Sequence, residues 1–177
     1  GGTFTGNVGI GTSPQSNLHL NSNSTLNQFQ MTNSTTGSGS NAVGFTIATL
    51  GNDVYINNRQ NGFMSFYVNT SERMRITSDG KVGIGTTSPK EKLHVSEGNF
   101  LNSGTHGSSP TLSVSGAGTR MFFYPRKSAF RAGYVTGTQW DDTNIGNYST
   151  AMGYNTKALG SISTAMGYAT TASNNSS

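Results

Sequence analysis

Cysteine is absent from this chain of 177 residues. Disulfides therefore cannot hold the fold together, and no thiolate is available as a nucleophile or metal ligand. Charged residues are also scarce, at 10% of the chain, and the formal net charge is only +4. This is too little charge for the self-repulsion that keeps a disordered chain open. No apolar run approaches the ~18 residues of a membrane-spanning helix, so we expect no membrane insertion in this segment.

Large apolar residues are few as well. Leucine, isoleucine, valine and phenylalanine together account for 32 residues, about 18% of the chain, which is below the roughly 20% that separates globular from disordered sequences. Since strong charge repulsion is missing, the chain needs another route to bury its apolar side chains. Association of identical chains provides such a route, because each copy covers apolar stripes that would be exposed to solvent on a single chain.

Glycine, serine, threonine and asparagine dominate the sequence, and they favour turns and closely stacked backbones over helices. We therefore predict an all-β chain. Between residues 45 and 85, alternating apolar residues are interrupted by Gly51-Asn52, Asn61-Gly62 and Asp79-Gly80, which are typical hairpin signals. This section is predicted to be a β-meander. The polar segments 21–41 and 96–119 are predicted to be ordered connectors with mobile tips.

One long phrase occurs twice, as GNVGIGTSPQSNLHL at residues 6–20 and as GKVGIGTTSPKEKLHV at residues 80–95. A repeat of this length indicates a modular array, in which each unit needs neighbours to bury its apolar face. In the second copy, Ser88 precedes Glu91 by three residues, the spacing of a capping box. We therefore predict one helical turn there, followed by a strand at residues 93–95.

A shorter repeat closes the chain. Alanine and glycine recur every seven residues, at Ala151 and Gly153, Ala158 and Gly160, and Ala165 and Gly167. The fourth repeat has Ala172, but Asn174 takes the place of the glycine. Alanine fits the crowded interior of a tight coil, and glycine permits the backbone geometry of its corners. The heptads lack the leucines and flanking charges of a coiled coil. They indicate stacked β-coils.

Both repeats resemble known families. VGIGTTSP followed by KLHV, with SERMRITSDG before it, is similar to the repeated module of trimeric tail-fibre proteins from bacteriophages and phage-like contractile injection systems, over residues 1–20 and about 63–95. The heptads of residues 145–177 resemble the head of trimeric autotransporter adhesins, a left-handed parallel β-roll. The resemblance implies an all-β, fibrous, intertwined homotrimer of β-meander modules followed by such a roll.

The resemblance also implies a domain order. Residues 1–20 correspond to the end of one tail-fibre-like module, 21–95 to a second β module, 96–127 to a connector and 128–177 to an adhesin-head-like roll. The tail 174–177 aligns with residues 146–149, which precede Thr-Ala-Met-Gly-Tyr. We therefore expect the roll to be truncated and the parent chain to continue with a similar phrase.

The implied function is that of an extracellular fibre, on a virion, an injection-system particle or a bacterial surface. It would act as a structural and adhesive trimer that binds a cell-surface glycan or protein receptor and joins a larger fibre, baseplate or surface assembly. Catalysis and cofactors are not implied. Two alternatives stay open: a β-helical depolymerase that degrades polysaccharides, and a purely structural shaft whose receptor-binding tip lies elsewhere.

Candidate ligand-binding residues lie in two places. Trp140, Asp141 and Asp142 lie in a segment that interrupts the repeat. Tryptophan stacks on sugars, and carboxylates bind sugar hydroxyls or calcium. Alternatively, Trp140 could cap the roll. Adjacent carboxylates point in different directions, which argues against a glycosidase pair. Tyr154 and Tyr168, 14 residues apart, are predicted to form an outward ladder that either contacts a ligand or shields the coil edge.

Two further groups of residues have the chemistry of a binding site. His19 and His94 occupy equivalent places in the long repeat and could meet in a trimer to bind a metal, but strand alternation places them on the solvent side of an ordinary sheet. No metal site is predicted. A basic cluster comprises Arg120, Arg126, Lys127 and Arg131. No recognition helix or binding motif accompanies it, so we expect no nucleic-acid partner.

Overall fold

The computed structural model of the chain describes residues 6–13, 15–16, 18–22, 24–37 and 43–176. Across these ranges it contains fifteen β-strands, two short 3-10 turns and no α-helix, which confirms the predicted all-β class. The chain divides between Asn99 and Phe100 into two compact units. This division falls inside the segment 96–127 that is predicted to be a connector.

The first unit is built from short strands in three sheets. Its strands are β1 (Val8–Ile10), β2 (Leu18–Leu20), β3 (Leu26–Met31), β4 (Phe45–Leu50), β5 (Asp53–Asn58), β6 (Met64–Val68), β7 (Ser71–Ile76), β8 (Val82–Ile84) and β9 (Leu93–Val95). Strands β3, β4 and β5 form an antiparallel sheet, and β6, β7, β8 and β9 form a second sheet. Strands β1 and β2 pair in parallel.

The predicted meander is only partly correct. Gly51-Asn52 joins β4 to β5 and Asp79-Gly80 joins β7 to β8, as the turn signals indicate. The hairpin predicted at Asn61-Gly62 is wrong, because β5 and β6 belong to different sheets. The turn missed by the sequence analysis is Asn69-Thr70 between β6 and β7, where both residues adopt positive φ, 51° and 61°, as the central residues of a type I′ turn require.

Both copies of the long repeat form the same pair of parallel strands. The strand at Val-Gly-Ile pairs in parallel with the strand at Leu-His-Leu or Leu-His-Val, within the first copy and again within the second. Gly11 and Gly85 turn the chain out of these strands with φ of 79° and 72°. A Cβ on them would lie 2.1 Å and 2.7 Å from the carbonyl oxygens of Asn21 and Ser96, so only glycine fits.

The helical turn predicted from Ser88 and Glu91 is wrong. Residues 87–92 form bends without a helix. The backbone N–H of Lys90 donates to Nδ1 of His94 at 3.3 Å. In the predicted helical turn, this N–H would be one of the unpaired donors of the first turn. The strand predicted at residues 93–95 is confirmed as β9.

The second unit contains stacked coils. Its strands are β10 (Gly118–Tyr124), β11 (Ala129–Val135), β12 (Thr150–Tyr154), β13 (Lys157–Ala158), β14 (Thr164–Tyr168) and β15 (Thr171–Ala172), with 3-10 turns at Pro125–Lys127 and Asp142–Asn144. Strand β10 pairs with β11 as an antiparallel hairpin. Strands β11, β12 and β14 then stack in parallel, and β13 stacks on β15, with a repeat of 14 residues.

Two heptads therefore make one coil of a solenoid-like stack. The alanines of both heptads point inward: Ala151 and Ala158 are fully buried and Ala165 nearly so, as the sequence predicts. Equivalent corners at Tyr148, Ile162 and Ser176 adopt positive φ. Ile162 at such a corner is exposed, so its bulky side chain stays outside the coil.

Candidate functional site

Trp140 lies inside the second unit rather than on its surface. Its side chain is fully buried among Val135, Ala151 and Ala158. The indole N–H donates to the carbonyl oxygen of Thr156 at 2.9 Å, and Phe122 packs edge-on against the ring at 6.4 Å between centroids. No face of the indole is free for a sugar, so this placement favours the cap over the ligand contact.

The two carboxylates beside Trp140 are engaged by the protein itself. Asp141 accepts the backbone N–H of Gly116 at 2.7 Å. Asp142 accepts the phenol O–H of Tyr124 at 2.7 Å and lies 3.4 Å from the ammonium of Lys127. The bond from Tyr124, aided by the charge of Lys127, lowers the pKa of Asp142, whereas burial and the same bond raise the pKa of Tyr124. Both carboxylates fasten the loop to neighbouring segments.

Asn155, which the sequence analysis missed, also holds the loop in place through hydrogen bonds. The side-chain oxygen of Asn155 accepts the N–H and the hydroxyl of Thr136, at 2.7 Å and 3.1 Å, and the amide of Gln139 at 3.0 Å. Asn155 itself sits at a coil corner with positive φ, a conformation that asparagine tolerates better than most residues. The loop 136–144 is thus held to the coil below it at several points.

Tyr154 and Tyr168 lie on the outer face of the stacked strands. Their rings are nearly parallel, with an interplanar angle of 4° and centroids 4.9 Å apart. Tyr134, which the sequence analysis overlooked, adds a third ring 5.6 Å from Tyr154. The three residues are register partners on β11, β12 and β14. We call Tyr134, Tyr154 and Tyr168 the tyrosine ladder.

The signal for Tyr134 was present in the sequence. Gly133-Tyr134 repeats the Gly-Tyr pair of Gly153-Tyr154 and Gly167-Tyr168. The residues before this pair hide the repeat, because Arg131 and Ala132 stand where the later coils have alanine and methionine. The structure thus brings Tyr154 and Tyr168 together with Tyr134 and leaves Trp140 inside the coil.

Arg131 is the least expected residue of this unit. It takes the interior position that Ala151 and Ala165 occupy in the following coils, and it is fully buried. Its guanidinium donates to the carbonyl oxygens of Phe130, Ser149 and Ala158 and to the hydroxyl of Ser149. Burial lowers its pKa to about 10, which still leaves the group charged at neutral pH. It fills the interior of the first coil.

The other members of the basic cluster are also bound to local backbone. Arg120 donates to the carbonyl oxygen of Gly116, Arg126 to that of Ser109 at 2.8 Å, and Lys127 to that of Asp142. These contacts order the segment before β10 and the turn after it. The arrangement is that of structural cations at strand ends.

The two histidines of the long repeat, His19 and His94, also form hydrogen bonds with the local backbone. Nδ1 of His19 accepts the N–H of Gln15, and Nδ1 of His94 accepts that of Lys90, both at 3.3 Å. An accepting Nδ1 leaves the proton on Nε2 of the neutral ring. Within the described residues, no three histidine, aspartate or glutamate side chains are grouped to hold a metal ion. His106 stacks on Tyr148 at 4.6 Å.

The first unit exposes one continuous apolar sheet face. Phe29, Ile47 and Ile56 are register partners on β3, β4 and β5, and Met31 and Val54 lie on the same face by strand alternation. The five side chains are 45–72% exposed, from Phe29 at 45% to Val54 at 72%. We call these five residues the apolar face.

A cleft of about 480 Å³ opens next to the apolar face, where β5 ends and β6 begins. Met31, Phe45, Ile56, Phe63 and Phe66 line it, together with the amide of Asn58. The cleft continues the apolar surface rather than forming a separate polar site.

No protein-family model matches the chain, and no curated protein sequence matches it significantly. Among the described residues, the structure contains no helix that is long and apolar enough to cross a membrane.

Proposed function

We propose that the chain is part of a parallel homotrimeric β-fibre that forms or presents a receptor-binding surface outside the cell. The observation that carries the proposal is the lack of an interior in the first unit. In its described residues, Ala48 and Pro89 are the only buried apolar side chains. A compact domain of this size would bury many more, so the apolar surface needs another chain.

The apolar face indicates what kind of chain covers it. The face and its polar neighbours Asn27, Thr49 and Asn58 carry no charge. Large exposed apolar patches mark interaction sites, and a patch without charged groups fits another apolar surface best. A second copy of the chain brings the same surface in equal amount, as the interfaces of symmetric oligomers do.

The isoleucines of the long repeat are further exposed apolar residues of the first unit. Ile10 and Ile84 sit at equivalent places in the two copies and are 59% and 42% exposed. We expect them to point toward the trimer interior. The resemblance of the repeats to trimeric tail fibres and adhesin heads sets the proposed number of chains at three and the proposed hand of the roll as left.

The tyrosine ladder is the proposed adhesive surface. Tyr168 is 76% exposed, and its outer ring face is free in the described part of the chain, whereas the inner face stacks on Tyr154. An aromatic face with a hydroxyl at its tip can stack on a sugar ring and bind its hydroxyls. Three chains would present three ladders, and multivalency would raise avidity above the affinity of one site.

A glycan array of bacterial surface polysaccharides tests this assignment. We compare the intact chain with the double variant Tyr154→Ser and Tyr168→Ser, and with Tyr148→Ser, which removes an exposed tyrosine outside the ladder. The double variant is expected to bind at least about fivefold more weakly, since each lost aromatic contact is worth about 0.5–1.5 kcal/mol, while the binding of Tyr148→Ser stays unchanged.

Unchanged binding by the double variant would show that the tyrosine ladder does not contact the receptor. If the intact chain bound no glycan and no host cell, the adhesive part of the proposal would fail and the structural shaft would remain.

A further inference from the structure

The stacked coils approach each other closely at a corner occupied by Gly146, Gly160 and Asn174. These residues are 14 apart and hold equivalent places on three successive coils. The first two are glycine, and the third is asparagine. The difference has a steric meaning, because the coils are in contact through their backbones at this corner.

The distances at the corner are nearly identical in both steps. A Cβ on Gly146 would lie 2.0 Å from the carbonyl oxygen of Gly160, and a Cβ on Gly160 would lie 2.1 Å from that of Asn174. Neither glycine has a positive φ, so backbone conformation is not the reason for glycine here. The reason is the coil below, whose carbonyl oxygen occupies the place of a side chain.

We infer that Asn174 closes this corner to a further coil stacked in the same register. The carbonyl oxygen of that coil would fall where Asn174 already has its Cβ. Cβ atoms essentially never approach other atoms within 3.0 Å, so the backbone of an added coil would have to shift by about 1 Å at this corner. Coils stacked at the β-sheet spacing of about 4.8 Å cannot absorb such a shift without losing hydrogen bonds.

The obstruction is confined to one corner of the coil. The second row of close approaches, Gly133, Gly153 and Gly167, ends in glycine, and a Cβ on Gly167 would meet only the methyl group of Thr170, at 4.0 Å. The edge of β14 is therefore open to a neighbouring strand while the Asn174 corner is not.

This device limits regular growth of the stack. An exposed coil edge is a template for adding like coils, whether from the same chain or from another copy. With Asn174 in place, a following phrase such as Thr-Ala-Met-Gly-Tyr can pair along β14, but its coil must leave the 14-residue geometry at the next corner. The inference rests on the second unit alone and is independent of the proposed trimer.

An added coil tests the inference. The full chain is extended after Ser177 by a second copy of residues 164–177 with glycine at the new corner, in three backgrounds: unchanged Asn174, Asn174→Gly and Asn174→Ala. Alanine keeps the Cβ and removes the amide, so it separates the steric effect from hydrogen bonding. Amide hydrogen exchange is read on the added coil and on β12, which serves as the internal standard of folding.

We expect the added coil to be protected from exchange at least tenfold more in Asn174→Gly than in the Asn174 and Asn174→Ala backgrounds, with β12 equally protected in all three. Equal protection of the added coil in all three backgrounds would overturn the inference. Protection in Asn174→Ala equal to that in Asn174→Gly would also overturn it, because the amide rather than the Cβ would then be the obstacle.

Discussion

Trp140 shows how a residue in a loop can belong to the interior of a β-coil. The loop 136–144 leaves the strand rhythm after β11 and returns its aromatic side chain to the space above Ala151 and Ala158. Alanine side chains are small, so the interior beside them has room for the indole ring. The same reasoning explains Arg131, whose long side chain fills the first coil where later coils have alanine.

Replacement of Trp140 tests this role. Trp140→Ala is expected to destabilise the second unit by about 3–5 kcal/mol, as large-to-small changes in a core do. Trp140→Phe keeps most of the volume and loses the hydrogen bond to Thr156, so it should cost clearly less. Denaturant unfolding followed by circular dichroism, at one protein concentration, measures both. A Trp140→Ala protein with unchanged stability and lost receptor binding would instead make Trp140 a ligand contact.

Asp79 provides a test by pH in the first unit. The hydroxyl of Thr77 donates to Asp79 at 2.5 Å and the ammonium of Lys81 lies at 3.0 Å, and the hydrogen bonds from Thr77 and Lys81 lower the pKa of Asp79 to about 2. Because the folded pKa lies below the unfolded value of about 3.9, the turn is stabilised above pH 4, and this contribution is lost as pH falls from about 4 to about 2.

NMR titration of the Lys81 amide, which donates to Thr77 Oγ1, follows this step. We expect a midpoint near pH 2 that disappears in Asp79→Asn. A midpoint near 4 would show that the turn does not hold the carboxylate.

At the scale of elements, the coil corners depend on close backbone approach. Gly146→Ala would place a Cβ 2.0 Å from the carbonyl oxygen of Gly160. We expect the free energy of unfolding of the second unit to fall by about 1–3 kcal/mol, as at other overpacked sites. Gly137→Ala is the matched control, because its Cβ would meet only the side-chain oxygen of Gln139, at 3.4 Å. Thermal unfolding that ranks the two variants equally would refute the steric account.

The sequence predicted those elements whose rules are local. Alternation and turn pairs predicted β4, β5, β7 and β8, and the heptad alanines predicted the coil interior. Asn61-Gly62 misled because a turn signal does not say whether the flanking strands pair. The capping box at Ser88 misled because His94, four residues beyond Lys90, supplies the acceptor instead.

The candidate site followed a similar pattern. The 14-residue spacing placed Tyr154 and Tyr168 on one ladder, but it missed Tyr134, whose coil differs in its interior residue. Burial of Trp140 could not be read from its neighbours in the chain, because the partners Phe122 and Thr156 come from strands and corners distant in sequence.

At the scale of the whole molecule, the two units differ in how they bury apolar surface. The second unit encloses Val135, Trp140 and the coil alanines within one chain. The described part of the first unit leaves the apolar face, Ile10 and Ile84 exposed. A single chain with such a surface would aggregate or associate, and we propose that three identical chains share it.

Ile84→Asp probes this association. A charge buried at the junction of three chains would be present in three copies without a partner, so assembly is expected to weaken strongly. Ser88→Asp introduces the same charge at an exposed place in the loop between β8 and β9 and should assemble like the unchanged chain. Assembly of Ile84→Asp at unchanged concentration would place Ile84 outside the interface.

The mass of the folded chain in solution, measured by sedimentation equilibrium, decides whether three chains assemble. One chain has a mass of 18.6 kDa, and we expect a single species of three times that mass which persists on dilution. A folded, soluble species of 18.6 kDa over the same concentrations would contradict it.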